Sequence, residues 1–407
     1  MEVLYPRCAG LDVHADSVTA CIRIASGGEV AYQHHTVPTT TRGLLELADR
    51  LTAAGCTHVG MEATGVYWKP VWHVLEAAFT IVLANAVHIR NVPGRKSDMN
   101  DATWIADLLA HGLIRSSFVP AAPIQELRDL TRTRKQLVRE IARHTLRIQK
   151  TLEDANLKLT RVVSDILGIS GRAILKALIA GETDPMRLAD LTKGRLKATR
   201  GQLVEALHGR VTPHHRYIIQ LHLTQIEALE AAVTDLETHL GAAFEPFRAA
   251  INLLTTMPGL SDTAARVIVA EIGVDMGRFP TAGHLVSWAG LCPRLDESAG
   301  KRRSTRTRHG APWLKTTLVQ AAWGATRKKR SYLQAQFLRL KSRRGPKKAI
   351  LAVAASMLTA VYFMLRDGVE YHDLGPQYFA QRDKEQIAKR LLQRLRDLGV
   401  NVEVKAA

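Results

Sequence analysis

Residues 8 to 37 read "CAGLDVHADSVTACIRIASGGEVAYQHHTV", and this stretch decides the fold of the N-terminal third. Three apolar and β-branched runs, 8–13, 17–25 and 29–37, are separated by the turn-like "HAD" and "SGG". Such runs bounded by small and polar residues predict three consecutive strands. The pattern then changes period. "TRGLLELADRLTAAG" places Leu44, Leu47, Ala48 and Leu51 at helical spacing, "THVGMEA" predicts a strand, "YWKPVWHVLEAA" a helix, "FTIVLAN" a strand, and a further helix runs from about 101 to 112. Three strands followed by alternating helix and strand is the order of an RNase H-like fold, so residues 1–120 are expected to form an α/β domain of that type.

The remainder is predicted to be helical. A long helix from about 124 to 159 carries Leu130, Leu137, Ile141 and Ile148 at heptad positions, with Arg134 and His144 at the intervening ones. A second carries Ile226, Leu229, Val233, Leu236 and Leu240. Together they predict an antiparallel helical arm over 121–250, interrupted by an insert at 160–212. In "LLTTMPGLSDTAARVIVAEIG", Pro258 and Gly259 break two short helices in the manner of a helix-hairpin-helix, with Ser261 where a second glycine is usual. That segment opens a helical region over 251–375. An amphipathic tail occupies 376–407.

The chain has 407 residues and a formal charge of +18, from 56 Lys and Arg against 38 Asp and Glu. Between Arg294 and Lys348 stand 17 basic residues against only Asp296 and Glu297. Charge concentrated in this way points to a polyanion, and nucleic acid is the expected partner. Cys8, Cys21, Cys56 and Cys292 show no C-x-x-C pairing, so neither a zinc site nor a disulfide framework is expected. The apolar stretch "AILAVAASMLTAVYFMLRDG" is expected to be a buried helix rather than a membrane span. The N-terminus shows no secretory signal, and a cytoplasmic location is expected.

Four carboxylates carry the chemistry. Asp12 and Glu62 end the first and fourth predicted strands, where apolar residues run straight into an acid. Asp98 and Asp101, in "KSDMND", share one face if that segment has entered the following helix. A helix cap and a first-turn acid explain this pair equally well when it stands alone. Joined to Asp12 and Glu62 around one crevice, the four repel unless cations neutralise them, and a pair of Mg²⁺ ions is the expected solution. The aromatic residues Tyr67, Trp68 and Trp72 are read as helix core, as are Trp288, Trp313 and Trp323.

The order Asp12, Glu62, Asp98, Asp101, the context "GRKSDMNDA", "ADLLAHGLI" and the later block "AGLCPRLDESAGKRRS" resemble the DEDD transposases of insertion sequence family 110. Ser97 departs from the threonine found in many relatives and leaves the carboxylates untouched. The resemblance implies a RuvC-like domain, a coiled-coil insertion and a C-terminal transposase domain over 251–375. It also implies DNA partners, donor and target, and a structured bridge RNA that pairs with both. In "ESAGKRRS", Ser298 stands in a small-residue loop beside Lys301, Arg302 and Arg303, with Arg306 and Arg308 following, and these cations are expected to hold phosphate. No neighbouring histidine activates the hydroxyl. The family implication is a composite site in which the carboxylates' metal ions activate Ser298 and a covalent serine–DNA link forms. Ser304 is a weaker rival. A homo-oligomer, dimer or tetramer, is expected through the arm. The alternative reading is a RuvC-like nuclease for branched DNA that uses water as nucleophile.

Overall fold

The computed structural model describes residues 2–63, 65–85, 89, 101–194, 198–293, 296–304, 306–307, 310–382 and 384–399. The chain divides into two compact units, 1–119 and 120–407.

The first unit is built on one mixed sheet. Its strands are β1 (Arg7–Val13), β2 (Ser17–Ser26), β3 (Glu29–Pro38), β4 (His58–Glu62) and β5 (Thr80–Ala84), in the order β3-β2-β1-β4-β5. β1 pairs antiparallel with β2, and β2 with β3, whereas β4 joins β1 in parallel and β5 joins β4 in parallel. The apolar run of β1 is continuous because both of its faces are covered. On one face Ala9, Leu11 and Val13 join Leu44, Leu47 and Leu51 of α1 (Thr41–Ala53) and Val71 and Leu75 of α2 (Trp68–Leu75) in a single core. Trp68 and Trp72 pack against that core, as the sequence predicts, while Tyr67 is exposed.

The other face receives α3 (Asp101–Ala110). An ideal Cβ built on Gly10 would stand under 3.0 Å from the backbone of Ala102 and Ala106. Only glycine lets the helix settle this close to the strand. Arg23 of β2, buried, clamps the same helix: its Nε donates to Asp107 Oδ1 at 2.9 Å, and the Tyr32 hydroxyl donates to the same oxygen at 2.8 Å. Cys8, Cys21 and Cys56 are buried free thiols, and burial pushes Cys8 up to about 12.

The second unit is helical. α4 (Ala122–Asp154) follows, and four short helices, α5 (Leu159–Val162), α6 (Ile169–Ala180), α7 (Pro185–Asp190) and α8 (Arg200–Ala206), lead to α9 (Pro213–Ala243). Contacts of Asp154 with His215, His144 with His222 and Arg134 with Glu237 show that α4 and α9 run antiparallel. The two polar positions of the heptad pattern, Arg134 and His144, are therefore pairing positions between the arms. The short helices bury Ile174, Leu175, Leu178 and Leu203 with Ile148 and Leu152 of α4 and Ile219, Leu223 and Ile226 of α9. The insert thus caps one end of the arm. Ile226 and Leu240 are buried within the chain, and Leu229, Val233 and Leu236 between them are half-buried.

Next come α10 (Arg248–Thr255), α11 (Asp262–Ile272), α12 (Ala282–Trp288), α13 (Pro312–Ala325), α14 (Tyr332–Arg344) and α15 (Pro346–Asp367), then α16 (Tyr378–Arg382) and α17 (Lys384–Asp397). Among the described residues α15 is the helix long and apolar enough to cross a membrane. It buries Ile350, Val353, Met357, Leu358 and Val361, and α10, α12, α13 and α14 all pack against it. At the α10–α11 turn, Gly259 seats its backbone against Ala321 and Ala325 of α13. Ser261 is the N-cap of α11, its hydroxyl accepting from the Ala264 amide at 3.3 Å. Trp323, expected in the core, is instead 43% exposed, with its ring edge against Phe337.

Candidate active site

Parallel pairing of β1 with β4 ends at Leu11 opposite Met61, so Asp12 and Glu62 are the next residues of adjacent strands and leave the sheet at the same edge. Gly10 and Gly60 pair with each other and both face α3, whose Ile105 and Leu109 lie over Gly60. Side chains alternate along a strand, so Asp12 and Glu62 project on that same face. α3 runs back along β1: Ala102 lies over Gly10, and the Ala106 carbonyl accepts from Cys8 Sγ at 3.6 Å. Its N-terminus therefore stands at the edge where Asp12 and Glu62 emerge, and Asp101 is its first residue. A carboxylate there meets the positive end of the helix.

Asp12 is 31% exposed and its Oδ2 lies 3.1 Å from Nε2 of His14, an exposed ring with no sequence signal of its own. Three of the four acids are thus gathered by two strand ends and one helix start. Asp98, the fourth, lies outside the described residues. Among the described residues no three His, Cys, Asp or Glu side chains converge closely enough to hold a metal ion by themselves. Carboxylates are nonetheless the chemistry that suits a hard divalent cation.

The serine block takes a different form from the expected loop. Asp296–Ser298 and Lys301–Ser304 form a two-stranded antiparallel ribbon, β6 and β7, with Ser298 opposite Lys301 across the turn. Ala299 and Gly300 make that turn with φ of +50° and +71°. Positive φ at both central residues closes a two-residue hairpin whose twist matches its strands, at the cost of holding an alanine in a left-handed conformation. Ser298 and the adjacent Arg302 and Arg303 are placed here through their backbone. Lys301 and Arg306 are exposed, and Arg308 lies outside the described residues. Ser304 already has a structural task, its Oγ accepting from the Arg306 amide at 3.2 Å.

The ribbon is tied down at its base. Pro293 bridges Thr307, and Lys315 Nζ of α13 donates to the Gly290 carbonyl at 3.0 Å and to Thr307 Oγ1 at 2.8 Å. Burial holds the Lys315 ammonium below the usual lysine range. This anchor was missed from sequence because it joins residues with no shared periodicity. Beyond it, two exposed basic runs, 327–330 and 341–348, flank α14.

Comparison with known proteins meets this geometry from both ends. Residues 9–157, which include all four acids, match the model of the DEDD transposases of IS110, described as a transposase. Residues 251–338, which include Ser298, match a model described as the transposase IS116/IS110/IS902 family. An uncharacterized 43.6 kDa protein of insertion element IS110 from Streptomyces coelicolor is 28% identical over 315 residues, covering 70% of this chain and 74% of that protein. The chain belongs to the IS110 family of insertion-sequence transposases.

Proposed function

We propose that this transposase is a DNA recombinase of a mobile element in which Ser298 attacks a DNA phosphate while the carboxylate site supports the reaction. The observation that carries the reading is the placement of Asp12, Glu62 and Asp101 at one sheet edge, in a chain whose second family match contains Ser298. The strand order β3-β2-β1-β4-β5, with β2 antiparallel to β1, supports an RNase H-like, RuvC-like unit. The paired α4 and α9 support a coiled-coil arm.

Asp12, Glu62, Asp98 and Asp101 would hold Mg²⁺, which neutralises their mutual repulsion and lowers the barrier to attack at phosphorus. In the step itself, the Ser298 Oγ–P bond forms, one P–O bond of the DNA breaks, the serine proton is lost and the departing DNA oxygen gains one. The phosphorus remains a diester, so the bond energy is retained and rejoining needs no external energy source. Lys301 and Arg306, both exposed, together with Arg302, Arg303 and Arg308 would supply cations for the phosphate. A structured guide RNA, the bridge RNA of the family resemblance, pairs with donor and target DNA, and the basic runs of the second unit supply charge for both kinds of partner. Assembly as a dimer or tetramer, with the arm at the interface, would bring several such sites to two duplexes.

A suicide DNA substrate that traps the intermediate tests this reading. The intact protein should give a denaturant-resistant adduct that Ser298→Ala does not, while Ser298→Ala retains DNA binding. Normal cutting by Ser298→Ala with no adduct would assign attack to water, as in a nuclease for branched DNA.

A further inference from the structure

A cavity of about 570 Å³ opens in the helical unit between α4, the C-terminal end of α9, the first turn of α11, and α13. Its walls carry the cations Arg134, Lys135, Arg139 and Arg266 and the carboxylates Glu237 and Asp262. Both carboxylates are already engaged. Glu237 pairs with Arg134, and Asp262 with Arg266 at 2.6 Å and Arg248 at 3.7 Å. Lys135 and Arg139 have no carboxylate at ion-pair distance among the described residues.

Lys135 is the more telling of the two. Its Nζ is buried and has no hydrogen-bond acceptor among the described residues. It lies 5.6 Å from the centroid of the Trp313 ring, with Arg139 at 5.0 Å and Arg132 at 5.9 Å. Positions 132, 135 and 139 share one face of α4, so Trp313 gathers three cations under one ring. The ring quadrupole offsets part of their repulsion. It does not supply the acceptor that a buried ammonium needs, and leaving that need unmet costs free energy. Burial, reinforced by Arg139 and opposed by Glu271, accordingly pushes the Lys135 ammonium below the usual lysine range. An anion seated beside Lys135 and Arg139 would reverse both effects. The N-terminal turn of α11, capped by Ser261, lines the same cavity and adds the positive end of its dipole.

We propose that this cavity seats one backbone phosphate of a nucleic acid, held by Lys135 and Arg139 and facing the first turn of α11. It is roomy enough for a nucleotide around that phosphate, since pockets for small ligands span roughly 300–1,000 Å³. The assignment deepens the proposed function and rests on it, because it takes nucleic acid as the partner.

The test is a salt series of binding by the full chain to three labelled probes of equal length: a DNA duplex, a single-stranded DNA and an RNA stem-loop. Lys135→Met keeps the aliphatic stem and removes the charge, and Arg139→Gln alters an exposed side chain without threat to folding. Each should weaken binding at moderate salt by about tenfold and lower the log–log salt slope by about 0.7 to 0.9, the release expected for one phosphate contact. Lys135→Met should at the same time melt no lower than the parent, because a desolvated cation is gone; Lys135→Arg should restore the slope. Loss confined to the RNA probe would assign the phosphate to RNA, and loss confined to a DNA probe to DNA. If the parent shows its steep slope and both variants match it on every probe, the phosphate seat is wrong and the functional reading stands. If the parent binds none of the three, both fall together.

Discussion

Gly10 lies directly beneath Ala102, so close that a β-carbon on the glycine would enter the backbone of α3. This contact fixes where the helix begins relative to the strand, and hence brings Asp101 to the edge that carries Asp12. Gly10→Ala should therefore cost more than ordinary overpacking, which runs at about 1–3 kcal/mol, because backbone rather than a flexible side chain must move. Urea unfolding should show the loss, and DNA cleavage should fall with it. A variant of parental stability would mean that α3 slides without consequence.

The carboxylates predict the opposite pattern. Asp12→Asn, Glu62→Gln, Asp98→Asn and Asp101→Asn change charge and almost no volume, and none of the three described acids is buried. Strand cleavage should drop by roughly a hundredfold or more in each, the loss typical when a group that stabilises transition-state charge is removed. Melting should be nearly unchanged. Added Mg²⁺ should raise the melting temperature of the parent and not of the double variant Asp12→Asn/Glu62→Gln. His14→Ala, which removes only the ring 3.1 Å from Asp12, should lower cleavage far less.

The contrast between these sites explains what was legible in the sequence. β1 to β3 were readable because apolar runs and turn residues repeat over thirty positions, and Asp12 and Glu62 because each interrupts an apolar run at its end. The ribbon at Ser298 reads as a loop in the sequence because its strands are three and four residues long and mostly charged, so they carry no apolar alternation. The clamp of Arg23 on Asp107 and the anchor of Lys315 on Gly290 were invisible, since a polar pair between distant residues leaves no local signature. The basic segment was legible as charge, yet the cavity near Trp313 draws its cations from α4 and α11, outside it.

Glu271 shows the same long-range logic in the second unit. It is fully buried on α11 and receives Arg132 of α4 through two hydrogen bonds, Nε to Oε1 at 2.8 Å and Nη2 to Oε2 at 2.9 Å. Arg128 joins at 3.6 Å and also donates to the Glu271 carbonyl at 2.5 Å, and burial lowers its own pKa to about 10. Glu271→Ala leaves two guanidinium groups without their counter-charge and should destabilise by about 3–5 kcal/mol, as breaking one side of a buried ion pair does. Denaturant unfolding of the full chain reads this directly, and a change under 1 kcal/mol would show that water replaces the carboxylate.

The arm should respond to acid through His222, which pairs with His144. Their Nδ1 atoms stand 3.2 Å apart, so one ring must donate and the other accept, an arrangement that protonating both destroys. Burial first, then the nearby His144 and Arg147, lowers the pKa of His222 below its ordinary 6.5. In the window between that depressed value and 6.5, the unfolded chain binds more protons than the folded one, so stability rises with pH there. The contribution is complete above 6.5, and it is lost as pH falls through the folded pKa. Urea midpoints measured from about pH 7.5 down to about pH 5 should fall, with amide exchange rising in α4 and α9 around these rings. His222→Gln removes the titrating group and should flatten that part of the dependence. An equally steep fall in His222→Gln would assign the acid sensitivity elsewhere, with the His215–Asp154 contact at 2.9 Å as the next pair to replace.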